Sequence, residues 1–269
     1  MENDTMGMMR RSSKITRHPP LQAFVLGMLI AIASFCLAET SAPSPLRNAS
    51  CTSAYKNKAV PPKTLGSILQ SHARWLEARY DQHYHRADLC LADLHQAALK
   101  EANLERANLE GANLRRANLY QSTLAHAHMA GADLTGATLE DANLSGADMR
   151  LAKLSGANLF RVIGDEAALF NSLLVGTQLH ESSFERTHFE GADLTAADFT
   201  NASVVDSYFY GADLSQATLT EADFMGADLR HARLVKAKLS KTNLQGALLD
   251  GAHLRGAHLL EADLEGAYF

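Results

Sequence analysis

The sequence predicts an all-β solenoid: a right-handed, four-sided parallel β-helix entered through a short capping α-helix. Three observations carry this expectation. An apolar residue recurs at every fifth position from Leu89 to Phe269, 37 times without a slip in phase, and 27 of these centres are Leu. The residue two before each centre is Ala in 29 of the 37 repeats. Of the ten centres that are not Leu, all but Phe199 gather in two neighbouring columns when the chain is folded at twenty residues per turn.

The segments before the repeats have other compositions. Residues 1–86 hold 11 Lys+Arg against 5 Asp+Glu, whereas residues 87–269 hold 14 against 25. Such a split between halves points to separate roles. Arg10, Arg11, Lys14 and Arg17 precede an uncharged run, Leu21–Ala38, which ends in Cys36-Leu37-Ala38 before Glu39. That is the three-part layout of a secretory signal, so residues 1–38 read as a cleaved signal or as an uncleaved membrane anchor. Either reading exports the remainder of the chain, because the positive charges come first. Residues 39–63 carry Pro, Ser and Lys without an apolar period and read as a flexible linker.

Residues 64–86 follow as a capping helix. Thr64 can cap it, and Leu65, Ile68, Leu69, His72 and Leu76 share a face, with Trp75 beside them.

The repeats fill 87–269. A five-residue step makes no stripe on a helix and would flip faces on a strand. A corner inside each repeat resolves this. In Ala-x-Leu, three extended residues send Ala and Leu to one side, and the next two, rich in Gly, Ser and Asn, turn the chain. Modulo 20, Met129, Met149, Phe189, Phe209 and Phe269 share one column, and Gly164, Phe184, Val204 and Phe224 share the next. The column Leu94 to Leu254 is pure Leu. Modulo 15, the same exceptions scatter. Four sides per turn give about nine coils and, at about 4.8 Å per layer, a rod of about 45 Å. Parallel crossovers favour a right-handed winding.

Here the sequence resembles the pentapeptide-repeat proteins, whose consensus is A-(D/N)-L-x-x. "GADLTGATLEDANLSGADM" at 131–149 matches it throughout, and "HARWLEARY…HRADL" resembles the helix-then-RADL entry of many members. The resemblance implies the same right-handed quadrilateral β-helix. It also implies a possibility of function, since some quinolone-resistance members are acidic rods that act on DNA gyrase by imitating DNA.

Residues 160–190 keep phase but break the pattern. Phe160, Ile163, Phe170, Leu173 and Val175 stand where polar residues are expected, and Tyr208 and Tyr210 follow about two coils on. Two readings stay open: a local bulge whose apolar residues pack on one another, or an exposed patch that binds a partner. A solenoid also has two open ends. The helix is expected to cover the first; Tyr268 and Phe269 are expected at an end-to-end homodimer contact.

The sequence offers no catalytic, cofactor-binding or metal site. His72, His83 and His85 near the cap, and His253 and His258 on adjacent sides, lack paired zinc-ligand spacing. Gly-rich phosphate loops, G-x-S-x-G and H-E-x-x-H are missing, and the many Asp fall at repeat positions. Cys51 and Cys90 are candidates for a disulfide, with the sulfur of Cys90 directed outward.

The sequence therefore reads as a non-enzymatic exported scaffold that binds an unidentified protein partner in the periplasm, the thylakoid lumen or an extracellular space, with 21–38 as a potential membrane tether and no direct nucleic-acid contact. The alternative is a DNA-mimic-like modulator of gyrase or topoisomerase. Duplex DNA would carry about 26 charges over such a rod, whereas the repeat region nets −11. Lys153 and Arg233 also interrupt the column of Asp93, Asp133, Asp193 and Asp213.

Overall fold

Residue pairs exactly one turn apart would be twenty apart in sequence, and that is what the backbone does. In a computed structural model, which describes residues 51–83 and 85–269, parallel bridges join Asp88 to Asn108, Asn108 to His128, and so on to Leu248 and Tyr268. Three further columns run in the same register, through Asp93 to His253, Ala98 to His258 and Asn103 to Asp263. These define faces 1 to 4 of a right-handed quadrilateral coil. Each side is so short that only one residue per side bridges. The expected signal or anchor at 1–38, with its run 21–38, lies outside the described residues. Among the described residues no helix is long and apolar enough to cross a membrane.

The repeat chemistry follows from backbone accounting. At Leu134 the N–H donates to the Lys153 carbonyl of the next coil (2.7 Å), while Ala137 N–H turns back to the Leu134 carbonyl (2.9 Å) and closes the corner. The second corner residue has positive φ, as at Gly136 (65°). A turn with an i→i+3 bond and positive φ at its third residue is the type II pattern. The first corner residue's carbonyl accepts from the preceding coil, as Thr135 does from Arg116 N–H (3.0 Å). Its N–H finds no backbone partner and donates, where the repeat carries Asp or Asn, to that side chain two residues before it, as Thr135 does to Asp133 Oδ1 (3.0 Å) and Tyr120 to Asn118 Oδ1 (3.1 Å). Asp and Asn recur in the repeat because they satisfy this donor.

Inside the tube, the Leu centres and inner Ala are buried as far as Leu249, apart from Ala97 and Ala102 of the first coil, which are half-buried. Each buried Leu is worth about 2 kcal/mol. Where Ser or Thr replaces the inner Ala, its hydroxyl finds a carbonyl: Ser172 donates to Leu169 (2.6 Å) and Thr187 to Gly164 (2.8 Å). No buried hydroxyl is thereby stranded at these sites. In the aromatic segment, Phe189 stacks on Phe209 with centroids 4.8 Å apart and an interplanar angle of 10°, one coil spacing. Gly164 leaves a gap that the Phe184 ring of the next coil fills.

The entry differs from the sequence expectation in three ways. Helix α1 spans Pro62–Glu77, with Pro61 as N-cap and no side-chain cap. Thr64 lies inside it, because Pro at the first helical position starts the helix two residues earlier. Residues 51–60 are not a free linker: Lys56 bridges Ala92, Ala59 bridges Asp93, and Asn57 N–H donates to the Leu91 carbonyl (2.7 Å). Cys51 and Cys90 form a disulfide, with Cα atoms 5.8 Å apart. Cys90 leaves the tube outward but is fully buried, because this N-terminal strap lies over it. Leu65 and His72 of α1 are buried, and Ile68 and Leu69 pack against the first coils.

Candidate interaction surface

No bulge interrupts 160–190. The bridges Asn143–Ile163–Ser183 and Lys153–Leu173–Asp193 run through it in register. The apolar residues there are consequently held outward by the same rule that elsewhere holds Asp and Asn outward. They do not form one patch. Phe160 sits at the corner between faces 3 and 4, Ile163 on face 4, Phe170 at the corner between faces 1 and 2, Leu173 on face 2, and Val175 at the corner between faces 2 and 3. One coil has four sides, so fifteen residues of sequence make a girdle.

Side-chain packing divides that girdle. Phe160 lies on His180 (4.5 Å, 27°), with the Arg161 guanidinium 4.0 Å from its ring centroid. Arg161 in turn grips Asp141 through two bonds of 2.6 and 2.8 Å. That hydrogen-bonded guanidinium holds the Asp141 carboxyl below the ordinary range. Phe160 is half-buried and capped by charge on this corner. Ile163, Leu173 and Val175 are exposed but separated by corners.

A continuous run exists on the edge between faces 1 and 2. Phe170 stacks on His188 (4.8 Å, 22°), and His188 stacks on Tyr208 (4.6 Å, 11°). Tyr210 follows at the corner, edge-on to His231 (5.3 Å) with the Arg230 guanidinium 6.0 Å from its ring. Tyr208 and Tyr210 are 37% and 49% exposed, while Phe170 is half-buried. His188 Nδ1 lies 2.9 Å from Glu190 Oε1, which fixes the imidazole plane between the two rings. Arg230 is held by a forked pair to Asp228 (2.8 and 2.6 Å). Sequence reasoning missed His188 as the link, although its spacing of twenty from Tyr208 marks it.

Acidic side chains are spent locally in much the same way. Arg233 bonds Asp213 (3.1 Å) and Arg115 bonds Asp133 (3.3 Å) along face 2. At Asp213, burial opposes ionisation, but Ser215 and Arg233 outweigh it and the pKa lies below the usual value. Tyr268 and Phe269, on the last coil, are 63% and 69% exposed. His253 and His258 stand on faces 2 and 3; among the described residues no group of three His, Cys, Asp or Glu is placed to hold a metal ion.

A quadrilateral coil with five-residue sides and buried Leu centres defines a pentapeptide-repeat solenoid. The family profile described as pentapeptide repeats matches residues 92–129, 127–163, 172–209, 207–246 and 237–269. The chain belongs to the pentapeptide-repeat family. The profile leaves out 164–171, where Gly164 replaces a Leu centre. Among solved structures, the chain is similar to HetL, a pentapeptide repeat protein involved in heterocyst differentiation regulation from the cyanobacterium Nostoc. The two are 34% identical with a TM-score of 0.50, over 66% of this chain and 80% of HetL. A pentapeptide repeat protein from the Arabidopsis thaliana thylakoid lumen is 33% identical, with a TM-score of 0.33, over 33% of this chain and 62% of that one. QnrB1, a plasmid-mediated fluoroquinolone resistance protein, is 17% identical, with a TM-score of 0.39, over 62% of this chain and 87% of its own. No curated protein matches the chain.

Proposed function

We propose that this protein is a non-enzymatic, exported scaffold that docks a protein partner along the edge bearing Phe170, His188, Tyr208 and Tyr210. The observation that carries the reading is the stacked ring ladder itself. Three stacked rings, Phe170, His188 and Tyr208, held by packing and by Glu190, with Tyr210 exposed at the adjoining corner, offer a rigid aromatic surface at low entropic cost to a partner. The involvement of HetL in the regulation of heterocyst differentiation is compatible with a rod that works by contact. Export rests on the composition of residues 1–38. The DNA-mimic alternative is disfavoured by Arg115 and Arg233, which engage Asp133 and Asp213 of the Asp column on face 2.

A photo-crosslinking residue placed at Tyr210 tests the docking edge, with Thr138 on face 3 as the control site. The expected result is one discrete adduct from position 210 and none from 138. Tyr208→Glu in the same protein should lower the partner's affinity by about thirtyfold, the loss of about 2 kcal/mol typical of an aromatic anchor. Equal adducts from both sites, or unchanged affinity in Tyr208→Glu, would remove this edge from consideration. Fractionation of cells carrying a C-terminally tagged chain tests export, and a soluble cytoplasmic pool would favour the gyrase alternative.

A further inference from the structure

A second surface, remote from the ring ladder, lies where α1 ends over the first coils. An open cleft of about 660 Å³ is walled on one side by Trp75 and Tyr80 and on the other by repeat residues. That volume is within the range of small-molecule sites, about 300–1,000 Å³. The repeat register decides what lines it. Arg106, His126 and Gly146 are twenty residues apart and share positive φ, so they occupy one corner position in three successive layers; Arg86, just before the first repeat, joins them in lining the cleft. Successive members of this column are therefore about 4.8 Å apart. His128 and Asp148 occupy the neighbouring position on face 1 in the second and third of these layers.

Arg86 and Arg106 make this wall cationic beside a repeat region whose net charge is negative. At its far end Gly146 has no side chain, and the His126 imidazole occupies the space: a Cβ on Gly146 would lie 2.5 Å from His126 Nδ1. The one acid in the lining, Asp148, sits in the last layer and is already engaged by Arg150 through bonds of 2.8 Å each. The aromatic wall is ordered: Tyr80 packs on Trp75 (4.6 Å, 55°) and lies 5.3 Å from the Arg106 guanidinium, while Trp75 stacks on His72 (5.6 Å, 19°). Glu105 approaches Arg106 at 3.5 Å, an exposed pair of little worth that a better anion displaces.

We propose that this cleft binds a small organic anion carrying a flat ring, with its carboxylate or phosphate on Arg86 and Arg106 and its ring against Trp75. Two guanidiniums lining one cleft suit a two- or three-oxygen anion, and the indole supplies the face on which a ring stacks. The acid at the opposite end orients the ligand with its charge toward Arg86. The site is independent of the ring ladder and of the scaffold reading.

Trp75 is the single tryptophan of the chain, so its fluorescence reports the cleft alone. The probes are phenyl phosphate, inorganic phosphate and phenol, titrated into the full-length protein at constant ionic strength. Phenyl phosphate is expected to change Trp75 emission saturably, with half-saturation at least about tenfold below that of inorganic phosphate and of phenol. Arg86→Gln and Arg106→Asn should each weaken phenyl phosphate by about tenfold; Asn is chosen at 106 because that residue has φ 58°. Arg255→Gln, at a distant corner, should leave it unchanged. Calorimetry on Trp75→Phe should show weaker but persisting phenyl phosphate binding. A flat response up to about 10 mM, equal affinity for inorganic phosphate, or equal loss in Arg255→Gln would overturn the proposal. Because Arg86→Gln keeps Arg106 and its backbone turn, it decides the matter even if Arg106→Asn unfolds the corner.

Discussion

Gly164 and Phe184 provide the sharpest test of how this core is packed. A Cβ placed on Gly164 would lie 2.1, 2.4 and 2.9 Å from Phe184 Cε1, Cδ1 and Cζ. Gly164 has no positive φ to favour glycine, so sterics alone forbid the methyl group. The ring cannot simply retreat. Phe184 meets Phe189 edge-on at 5.6 Å, and Phe189 is itself stacked on Phe209 at 4.8 Å and touches Phe199 at 6.2 Å. Gly164→Ala should therefore cost about 1–3 kcal/mol by overpacking. Phe184→Leu should cost about 2 kcal/mol, from lost burial and from the void left over Gly164. Together, Gly164→Ala and Phe184→Leu exchange volume between two layers of one column. The double variant should lie within about 1 kcal/mol of the parent, giving a coupling of about 2–3 kcal/mol. Thermal unfolding followed by far-ultraviolet dichroism reads this as a fall of about 4–8 °C in each single variant and near-recovery in the double. Long repeat arrays need not melt in one step, so amide exchange at 160–190 should be compared alongside. An unshifted Gly164→Ala, or losses that add in the double variant, would refute the reasoning.

Other expectations can be checked on the same protein. Reducing the Cys51–Cys90 bond, or making Cys51→Ser, removes a crosslink across 39 residues worth about 4 kcal/mol in the chain-entropy account, and should free the strap over the first coil; alkylation mass spectrometry and unchanged exchange at residues 55–60 on reduction would contradict this. His72 is buried, its Nδ1 accepts from Ala87 N–H (3.1 Å), and desolvation foremost lowers its pKa below 6.5. The unfolded chain then binds the extra proton first, so cap stability should be complete above pH 6.5 and decline as the pH falls below it toward the folded value; a Trp75-monitored melt that is flat over that window would count against it. A homodimer through the coil that exposes Leu260, Tyr268 and Phe269 should sediment at about twice the 29.2 kDa chain mass, and Phe269→Glu should return it to monomer; a monomeric parent at micromolar concentration removes this contact.

The interior was legible because it repeats. Only one spacing places Leu89 and its 36 successors on one side of the backbone, and the clustering of Met129, Phe189 and Gly164 by twenties fixes four sides. The exchange of bulk between Gly164 and Phe184 follows from the same column. The entry was less legible because it is aperiodic. Thr64 resembles an N-cap, yet Pro61-Pro62 sets the start. The Ser- and Pro-rich stretch before it resembles a linker, yet residues 56–60 complete the open edge of the first coil, which only the tertiary structure reveals. Cys90 was placed outward correctly by the repeat, and its burial comes from a segment with no repeat to announce it.

The outer surface was misread for a different reason. Reading along the chain gathered Phe160 to Val175 into a patch, although consecutive sides face in different directions. In a solenoid of this period, surface neighbours are twenty residues apart, or eighteen where a corner meets the next layer's face. By that rule His188 belongs with Tyr208 and Phe170, His180 with Phe160, Arg161 with Asp141, Arg186 with Glu166 and Lys241 with Glu221, and each of these pairs is in contact. The same rule assembles the Arg106–His126–Gly146 column beside α1. The inner positions are constrained by packing and are almost uniform, so they carry little information about a partner or ligand. The outer positions are free of that constraint. Whatever distinguishes this rod from another of equal length must be written in those columns, which is why both proposed sites lie along the axis of the coil.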